Sequence, residues 1–302
     1  MARHKNTNIY AGVRGHGSFK QTVPGIARFG VLEAYRKYSL RDKEAGGTLW
    51  DFAKAPPGVK IFFSNRRKFG VSKSPYNSMN LGFHVGDDPA AVDRNRMRFA
   101  RGLGLDPSRL TCPRQRHTGI VSVLDREEQV GSGAHTDESV FDPCDGLVTT
   151  MENAPILLHF ADCLPVVLAG RAGGKPAIGV LHAGRQGLEE GVVANGVKAM
   201  VENLGVERGS IVAALGPAIA PCCYEVGEMK THGFRKRFGG DVVVDGANLD
   251  LAAAAIADLK ASGVIAERIH LLDICTSCSD DFYSYRREGV TGRHGAIAWI
   301  SK

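Results

Sequence analysis

His117, Cys163 and His182 carry the side chains in this chain best suited to hold a metal ion. Each sits in a dense local context: Gln115-Arg116-His117, Ala161-Asp162-Cys163-Leu164-Pro165 and His182-Ala183-Gly184. Imidazole nitrogen and thiolate sulfur are donors that borderline-soft divalent ions prefer, zinc above all. Three protein donors leave the fourth tetrahedral position to water or substrate, the arrangement of a catalytic rather than a structural zinc. Two imidazoles and a thiolate also resemble a copper ligand set, and copper outcompetes zinc at most such sites. With 10 His and 7 Cys in the chain, such triples also arise by chance, so residue type alone leaves a metal centre and unrelated side chains both open.

Arginines supply the complementary chemistry. Arg67 precedes Gly70-Val71-Ser72, and Arg286, Arg287 and Arg293 cluster near the C-terminus. Guanidinium forks bind phosphate through two parallel hydrogen bonds, but Asp280, Asp281 and Glu288 lie near enough in sequence to pair with these arginines instead. Asp162, beside Cys163, either orients an imidazole or caps a turn. His84 and His159 stand alone in apolar settings and read as core or supporting histidines. Tyr224 and Glu225, after a Gly-Pro turn, either line a pocket or serve structure.

Other chemistries are absent from the residues. The chain has no His-x-His pair, which a trinuclear copper cluster needs, and no His-x-Glu followed by Pro-Cys-x-x-Cys, the mark of a zinc base deaminase. Gly170–Pro176 looks superficially like a phosphate loop, but its spacing is wrong and Pro follows the Lys. An odd number of cysteines behind a polar N-terminus argues against a disulfide framework. Cys275-Thr276-Ser277-Cys278 has the spacing of a redox pair, yet no helical pattern follows the strand-like run before it, so it reads as buried thiols. Cys222-Cys223 takes the same reading, because neighbouring side chains of an extended chain point to opposite faces.

The elements that must position these residues are mostly short. A chain of 302 residues with 43% hydrophobic and 23% charged residues can bury a substantial core. Residues 1–58 read as an extension closed by Pro56-Pro57-Gly58, and residues 59–302 as one catalytic domain without repeats or a composition break. Residues 1–45 hold nine basic and three acidic residues, while the remainder balances at 29 of each, so the whole net charge of +6 resides in the arm. The arm reads as a solvated tail, expected to be dispensable for chemistry, and no nucleic-acid partner is expected. No apolar run would span a bilayer and no secretory leader is seen, so no membrane partner and a cytoplasmic address are expected.

Strand-like runs occur at 59–63, 120–124, 156–160, 166–169, 177–182, 211–215, 268–274 and 296–300. Helical patterns occupy 89 to about 102, 188–204 and 249–261, the first announced by Asp88-Pro89. Several strands adjoin without a crossover helix, which favours mixed sheets over a doubly wound fold. Cys163 and His182 then fall near the ends of neighbouring strands and His117 just before a third, where a rigid scaffold opens into loops.

Ala161–Pro165, His182–Gly184, Gly216–Val226 (Gly-Pro-Ala-Ile-Ala-Pro-Cys-Cys-Tyr-Glu-Val) and Ser284-Tyr285-Arg286-Arg287 together resemble the laccase-domain family, also called polyphenol-oxidase-like or purine nucleoside phosphorylase-like proteins. Gly86-Asp87-Asp88, Asn95-Arg96 and Thr291-Gly292-Arg293 extend the similarity, which runs from about Ile61 to the C-terminus. The resemblance implies an α+β fold, a layered α/β/β/α sandwich with large mixed β-sheets in a single domain. It implies metal-dependent phosphorolysis of adenosine, inosine and methylthioadenosine, with an adenosine deaminase side activity. His117, Cys163 and His182 would serve as metal ligands and catalytic residues for Zn2+, with Cu2+ also accommodated. Arg67, Arg286 and Arg287 would bind substrate or phosphate. The expected partners are purine nucleosides and phosphate, with a homodimer left open. Two alternatives accompany this reading: a Cys-His hydrolase acting on an amide, such as cell-wall precursor editing, and a copper-loaded, laccase-like polyphenol oxidase. The chain departs from the family at Arg185-Gln186-Gly187, where Trp-Arg-Gly is usual, and at Phe69-Gly70, where Gly-Gly is usual.

Overall fold

The structure is a computed structural model describing residues 34–39, 48–67 and 69–301. Its strands, in chain order, are β1 Tyr35–Ser39, β2 Thr48–Phe52, β3 Val59–Phe63, β4 Ser122–Val123, β5 Gly146–Thr149, β6 Ile156–Phe160, β7 Leu164–Ala172, β8 Lys175–Ala183, β9 Val212–Leu215, β10 Val243–Val244, β11 Asn248–Leu249, β12 Ile269–Leu271 and β13 His294–Ile300. The helices are α1 Pro89–Gly102, α2 Arg185–Glu189, α3 Val192–Glu202, α4 Glu228–Phe238, α5 Leu251–Ala261 and α6 Tyr285–Glu288.

Two large sheets form the centre. One is antiparallel in the order β1-β2-β3-β13-β6, and the other is mixed, in the order β12-β9-β7-β8-β5-β4, with parallel pairs at both edges. Period-two alternation then builds the layers. Ile61 and Phe63 of β3, Leu158 and Phe160 of β6, and Ala296 and Ala298 of β13 face inward against Val167, Ala169, Ile178 and Val180 of the mixed sheet. The intervening residues Phe62, Leu157, Ile297 and Trp299 turn outward onto Phe99 and Ala100 of α1. On the far side, Val166, Leu168, Leu181 and Leu215 pack against Val193, Val197 and Met200 of α3 and Leu259 of α5. The result is a single-domain α/β/β/α sandwich whose strands are apolar on both faces because both faces are covered. Burying a side chain such as Phe63 stabilises the fold by roughly 1.5–3 kcal/mol.

α1 begins where Asp88-Pro89 predicts, with the Asp88 carboxylate accepting from Ala90 N at 3.0 Å. The expected helix over 188–204 is instead two, α2 and α3, divided at Gly191, whose φ of +82° lies in the left-handed region that glycine adopts without strain. The 120–124 run contributes only β4, and α4 was not foreseen: only Thr231 and Phe234 of its residues are buried, so it carries little apolar periodicity.

The span expected to be an arm also differs. β1 and β2 form an edge hairpin on the antiparallel sheet, with Tyr35 and Phe52 in the inter-sheet core. The Tyr35 hydroxyl donates to Leu215 O at 3.1 Å and His270 O at 2.8 Å, tying one sheet to the other. Residues 1–33 of the basic arm lie outside the described residues. Among the described residues no helix is long and apolar enough to cross a membrane.

Candidate metal centre

Cys163, His182 and Asp145 are brought together by the pleat of the mixed sheet. Cys163 immediately precedes β7, and the β7–β8 register pairs Pro165 with His182 and Leu164 with Ala183, so Cys163 and His182 flank the open end of one hairpin. β5 pairs with β8 on the other side, and His182 N donates to Asp145 O at 2.7 Å just before β5 begins. His117 comes from a loop, with a φ of +62° that is uncommon for a residue bearing a Cβ. The donor atoms of His117, Cys163 and His182 all lie within 4.8 Å of one another, and the two imidazole rings sit 4.8 Å apart at 68°. His182 is buried, Cys163 half-buried and His117 exposed.

Asp145 organises both imidazoles. Its Oδ1 accepts from His182 Nδ1 at 2.7 Å, which directs the other ring nitrogen to the Cys163 side. Its Oδ2 accepts from Arg116 N at 3.0 Å, Thr118 N at 2.7 Å and the Thr118 hydroxyl at 2.9 Å, pinning the backbone on either side of His117. A carboxylate behind a histidine ligand fixes the tautomer and raises the donor strength of the ring. Sequence reading gave this role to Asp162 as one of two options, and the structure shows the other. Asp162 accepts from Thr276 Oγ1 and from Arg286 N, both at 2.7 Å, and so fastens the turn before α6. The signal for Asp145 is slight: a carboxylate in Cys144-Asp145-Gly146, at the mouth of an apolar strand.

The charges of this group are mutually reinforcing. Burial works to raise the Asp145 carboxyl, but the His182 hydrogen bond and charge, with the Thr118 and Arg116 amides, outweigh it and bring it to about 2. Burial likewise opposes ionisation of Cys163, yet the charge of His182 and hydrogen bonds from His117 and His182 lower the thiol to about 6. His182, despite burial, is raised to about 9 by the Cys163 charge and Asp145. The site therefore holds a thiolate, the protonation state a metal ligand or nucleophile requires.

Gly184 completes the His-Ala-Gly signature for a steric reason. A Cβ there would stand 2.8 Å from Cys163 Sγ and 3.2 Å from His117 Cδ2, inside the space the donors occupy.

The arginines divide. Arg67 pairs with Asp281 at 2.5 Å, with both side chains about half exposed. Arg287 directs Nη1 at the carbonyls of Thr276, Ser277 and Ser279 and Nη2 at Phe282 O, so its fork staples a loop. Arg286 Nη1 donates to Cys223 O and Glu225 O, and its guanidinium lies 5.2 Å from the Tyr224 ring centroid. Burial first, and then the Cys163 charge, push the Tyr224 hydroxyl up to about 12. Arg293, named with the candidate arginines but not assigned to substrate or phosphate, is lowered by burial and feels the opposing charges of Cys163 and Asp162. Its Nη1 donates to Thr291 O and Gly292 O at 3.0 Å.

His159 is buried against Arg96 Nη2 at 3.0 Å, in keeping with a supporting role, whereas His84 is partly exposed beside Asp137. Both border a cavity of about 200 Å³ that Arg114 and Arg116 also line, the latter next in sequence to His117. A larger cleft of about 570 Å³, lined by Ala218, Cys222, Asp241 and Asn248 among others, includes none of the three donors. The reading of Cys222, Cys223, Cys275 and Cys278 as buried thiols is corrected. Cys222 and Cys278 are exposed, and all four sulfurs meet. Cys222 and Cys223 lie in a turn rather than an extended strand, so the alternation that would separate them does not apply.

A layered α/β/β/α sandwich with two histidines and a cysteine clustered at one sheet end defines a class shared with several known proteins. Residues 60–301 match the family model described as multi-copper polyphenol oxidoreductase laccase, and the chain belongs to that family. A purine nucleoside phosphorylase of Corynebacterium glutamicum is 36% identical over 249 residues, covering 82% of this chain and 96% of that protein. An adenosine deaminase, RL5, from an unknown prokaryotic organism is 35% identical over 251 residues, covering 80% and 93%. The crystal structure of YlmD from Geobacillus stearothermophilus superposes with a TM-score of 0.79 at 30% identity, covering 88% of this chain and all of that one.

Proposed function

We propose that the chain is a zinc-dependent purine nucleoside phosphorylase that cleaves adenosine, inosine and methylthioadenosine with phosphate and deaminates adenosine as a side activity. The carrying observation is the convergence of His117, Cys163 and His182 with Asp145 hydrogen-bonded behind His182. The donor set suits zinc, because the thiol is held ionised and one imidazole nitrogen is committed to Asp145, leaving the other for the ion. Bound there, zinc supplies Lewis acidity and lowers the pKa of a coordinated water to about 7.

The chain's own residues bind and orient. His117, the exposed donor, is the one that an incoming substrate would meet first. Arg293, and Arg286 over Tyr224, bring positive charge to the same end of the sheet, while Arg67 would reach an anion only by leaving Asp281. Arg287 contributes by holding the loop that carries Thr276. In phosphorolysis a phosphate oxygen bonds to the anomeric carbon as the bond to the purine nitrogen breaks, and that nitrogen gains a proton. Positioning and charge stabilisation therefore do most of the work.

One observation favours a second reading. Cys163, His182 and Asp145 also have the order of a nucleophile, base and orienting carboxylate, with the thiolate formed, which suits a hydrolase acting on an amide. A copper-loaded form would oxidise phenols only weakly, since the cluster-forming His-x-His pairs are missing. The deciding experiment incubates zinc-loaded protein with adenosine and phosphate and follows adenine and ribose 1-phosphate, with Cys163→Ala as control. Alkylation of Cys163 separates the first two readings: zinc masks a ligand, whereas a nucleophile is labelled fast in the zinc-loaded protein. Absence of phosphate-dependent base release at every substrate tried would end the phosphorylase reading.

A further inference from the structure

The four remaining clustered cysteines form a second constellation apart from His117, Cys163 and His182. Cys222 and Cys223 lie in the turn after β9, and Cys275 and Cys278 in the turn after β12. The sulfurs of Cys222 and Cys223 are 3.7 Å apart, those of Cys222 and Cys278 3.6 Å, and those of Cys223 and Cys278 3.4 Å. Cys275 joins them, with all four sulfurs within 4.8 Å of one another, and all four cysteines are free.

Zinc–sulfur bonds of about 2.3 Å set the sulfurs of a tetrahedral site about 3.8 Å apart, close to these separations. A disulfide would use two sulfurs and leave two over. Three sulfurs stand 3.4–3.7 Å apart and the fourth, that of Cys275, lies within 4.8 Å of each, a grouping that one tetrahedral ion can draw together. We propose that Cys222, Cys223, Cys275 and Cys278 form a four-thiolate zinc site, structural in kind, distinct from the His117–Cys163–His182 centre.

The surroundings suit such an ion. Four thiols that bind one Zn2+ release four protons to solvent and leave a centre of net charge −2. Two arginines sit on the ligand-bearing turns: Arg286 Nη1 donates to Cys223 O, and Arg287 Nη1 donates to the carbonyls of Thr276 and Ser277. A parallel bridge between Ala218 and Cys275, and the amide of Ala220 donating to Cys275 Sγ at 3.4 Å, already hold the two turns together. The site has no open coordination position for substrate, since the chain fills all four. Its effect on the other centre is mechanical. The same two turns grip Asp162, with Ile219 N donating to Asp162 O at 2.9 Å and Thr276 Oγ1 to its carboxylate, and Cys163 follows next in the chain.

The test is metal content and thiol protection on the full chain. Protein reconstituted with zinc under reductant and freed of excess metal should hold two zinc ions. Cys163→Ala should hold one, and Cys222→Ser/Cys278→Ser should also hold one. Because the double variant can fail to fold, wild-type protein is alkylated with and without prior chelator, and its peptides are analysed by mass spectrometry. All four cysteines should be protected in the zinc-loaded form and labelled after chelation. A single zinc lost with Cys163→Ala, equal labelling with and without zinc, a disulfide among the four in reduced protein, or iron with acid-labile sulfide in place of zinc would each overturn the assignment.

Discussion

Asp145 holds His182 by a 2.7 Å hydrogen bond, while its second oxygen holds the backbone on both sides of His117. One carboxylate thus orients two of the three donors. Asp145→Asn keeps the shape but loses the charge that sustains His182, so zinc affinity at this centre should fall roughly 10- to 100-fold. Chelator competition on protein whose four-cysteine site is already accounted for measures it. An unchanged affinity would remove Asp145 from the centre.

Cys163 in the metal-free protein should alkylate along a titration curve centred near pH 6, slow below and fast above, because the thiolate is the reacting form. An inflection near the ordinary thiol value of 9.0 would contradict the His182 and His117 stabilisation.

Arg293 and Arg287 should behave oppositely. Arg293→Ala should weaken apparent phosphate affinity roughly 10- to 150-fold while adenosine deamination, which uses water, survives. Arg287→Ala leaves four backbone carbonyls without their donor and should cost about 3 kcal/mol or more in unfolding free energy, lowering both activities together. If Arg293→Ala also lowers both in parallel, its part is packing rather than anion binding.

His294 is buried between the rings of Phe160 and Phe282, and neither ring nitrogen finds a hydrogen-bond partner among the described residues. Burial, then the charges of Arg293 and Arg66, lower its pKa from 6.5 to about 3. The folded state therefore binds fewer protons than the unfolded one between these values, so stability is intact above pH 6.5 and declines as pH falls towards 3. Denaturant midpoints for His294→Phe should show a shallower acid decline than wild type. An identical decline would assign the acid sensitivity elsewhere.

Removing residues 1–55 should lower the unfolding midpoint, because β1 and β2 go with them and Tyr35 no longer ties Leu215 O and His270 O together. A truncated protein as stable as the full chain would show that the hairpin adds nothing to the core.

The mixed sheets were legible because their strands are apolar runs of recognisable length, the layered sandwich through the family resemblance, and α1 because Asp88-Pro89 marks its start. The three donors were legible as residue types in dense motifs, though spacing alone left them ambiguous. Asp145 was not, since a single carboxylate before a strand carries no pattern and its partners lie 27 to 37 residues away. The edge hairpin was hidden by a charged, glycine-rich stretch, and it is the strand pairing and the burial of Tyr35 and Phe52 that show the strands belong to the core. The cysteine cluster was illegible because Cys278 lies 56 and 55 residues from Cys222 and Cys223, and strand alternation does not govern what is a turn.

The pairing of Pro165 with His182 across β7 and β8 has a kinetic consequence. Two donors are spaced by adjacent strands and cannot separate without parting the sheet, whereas His117 hangs from a loop and is the exposed member. Ion exchange should therefore begin at His117, with the Cys163–His182 pair retaining the ion for longer. On protein whose four-cysteine site is already accounted for, His117→Ala should speed release of this ion to a chelator by opening the first step in advance, while leaving the Cys163–His182 pair geometrically intact.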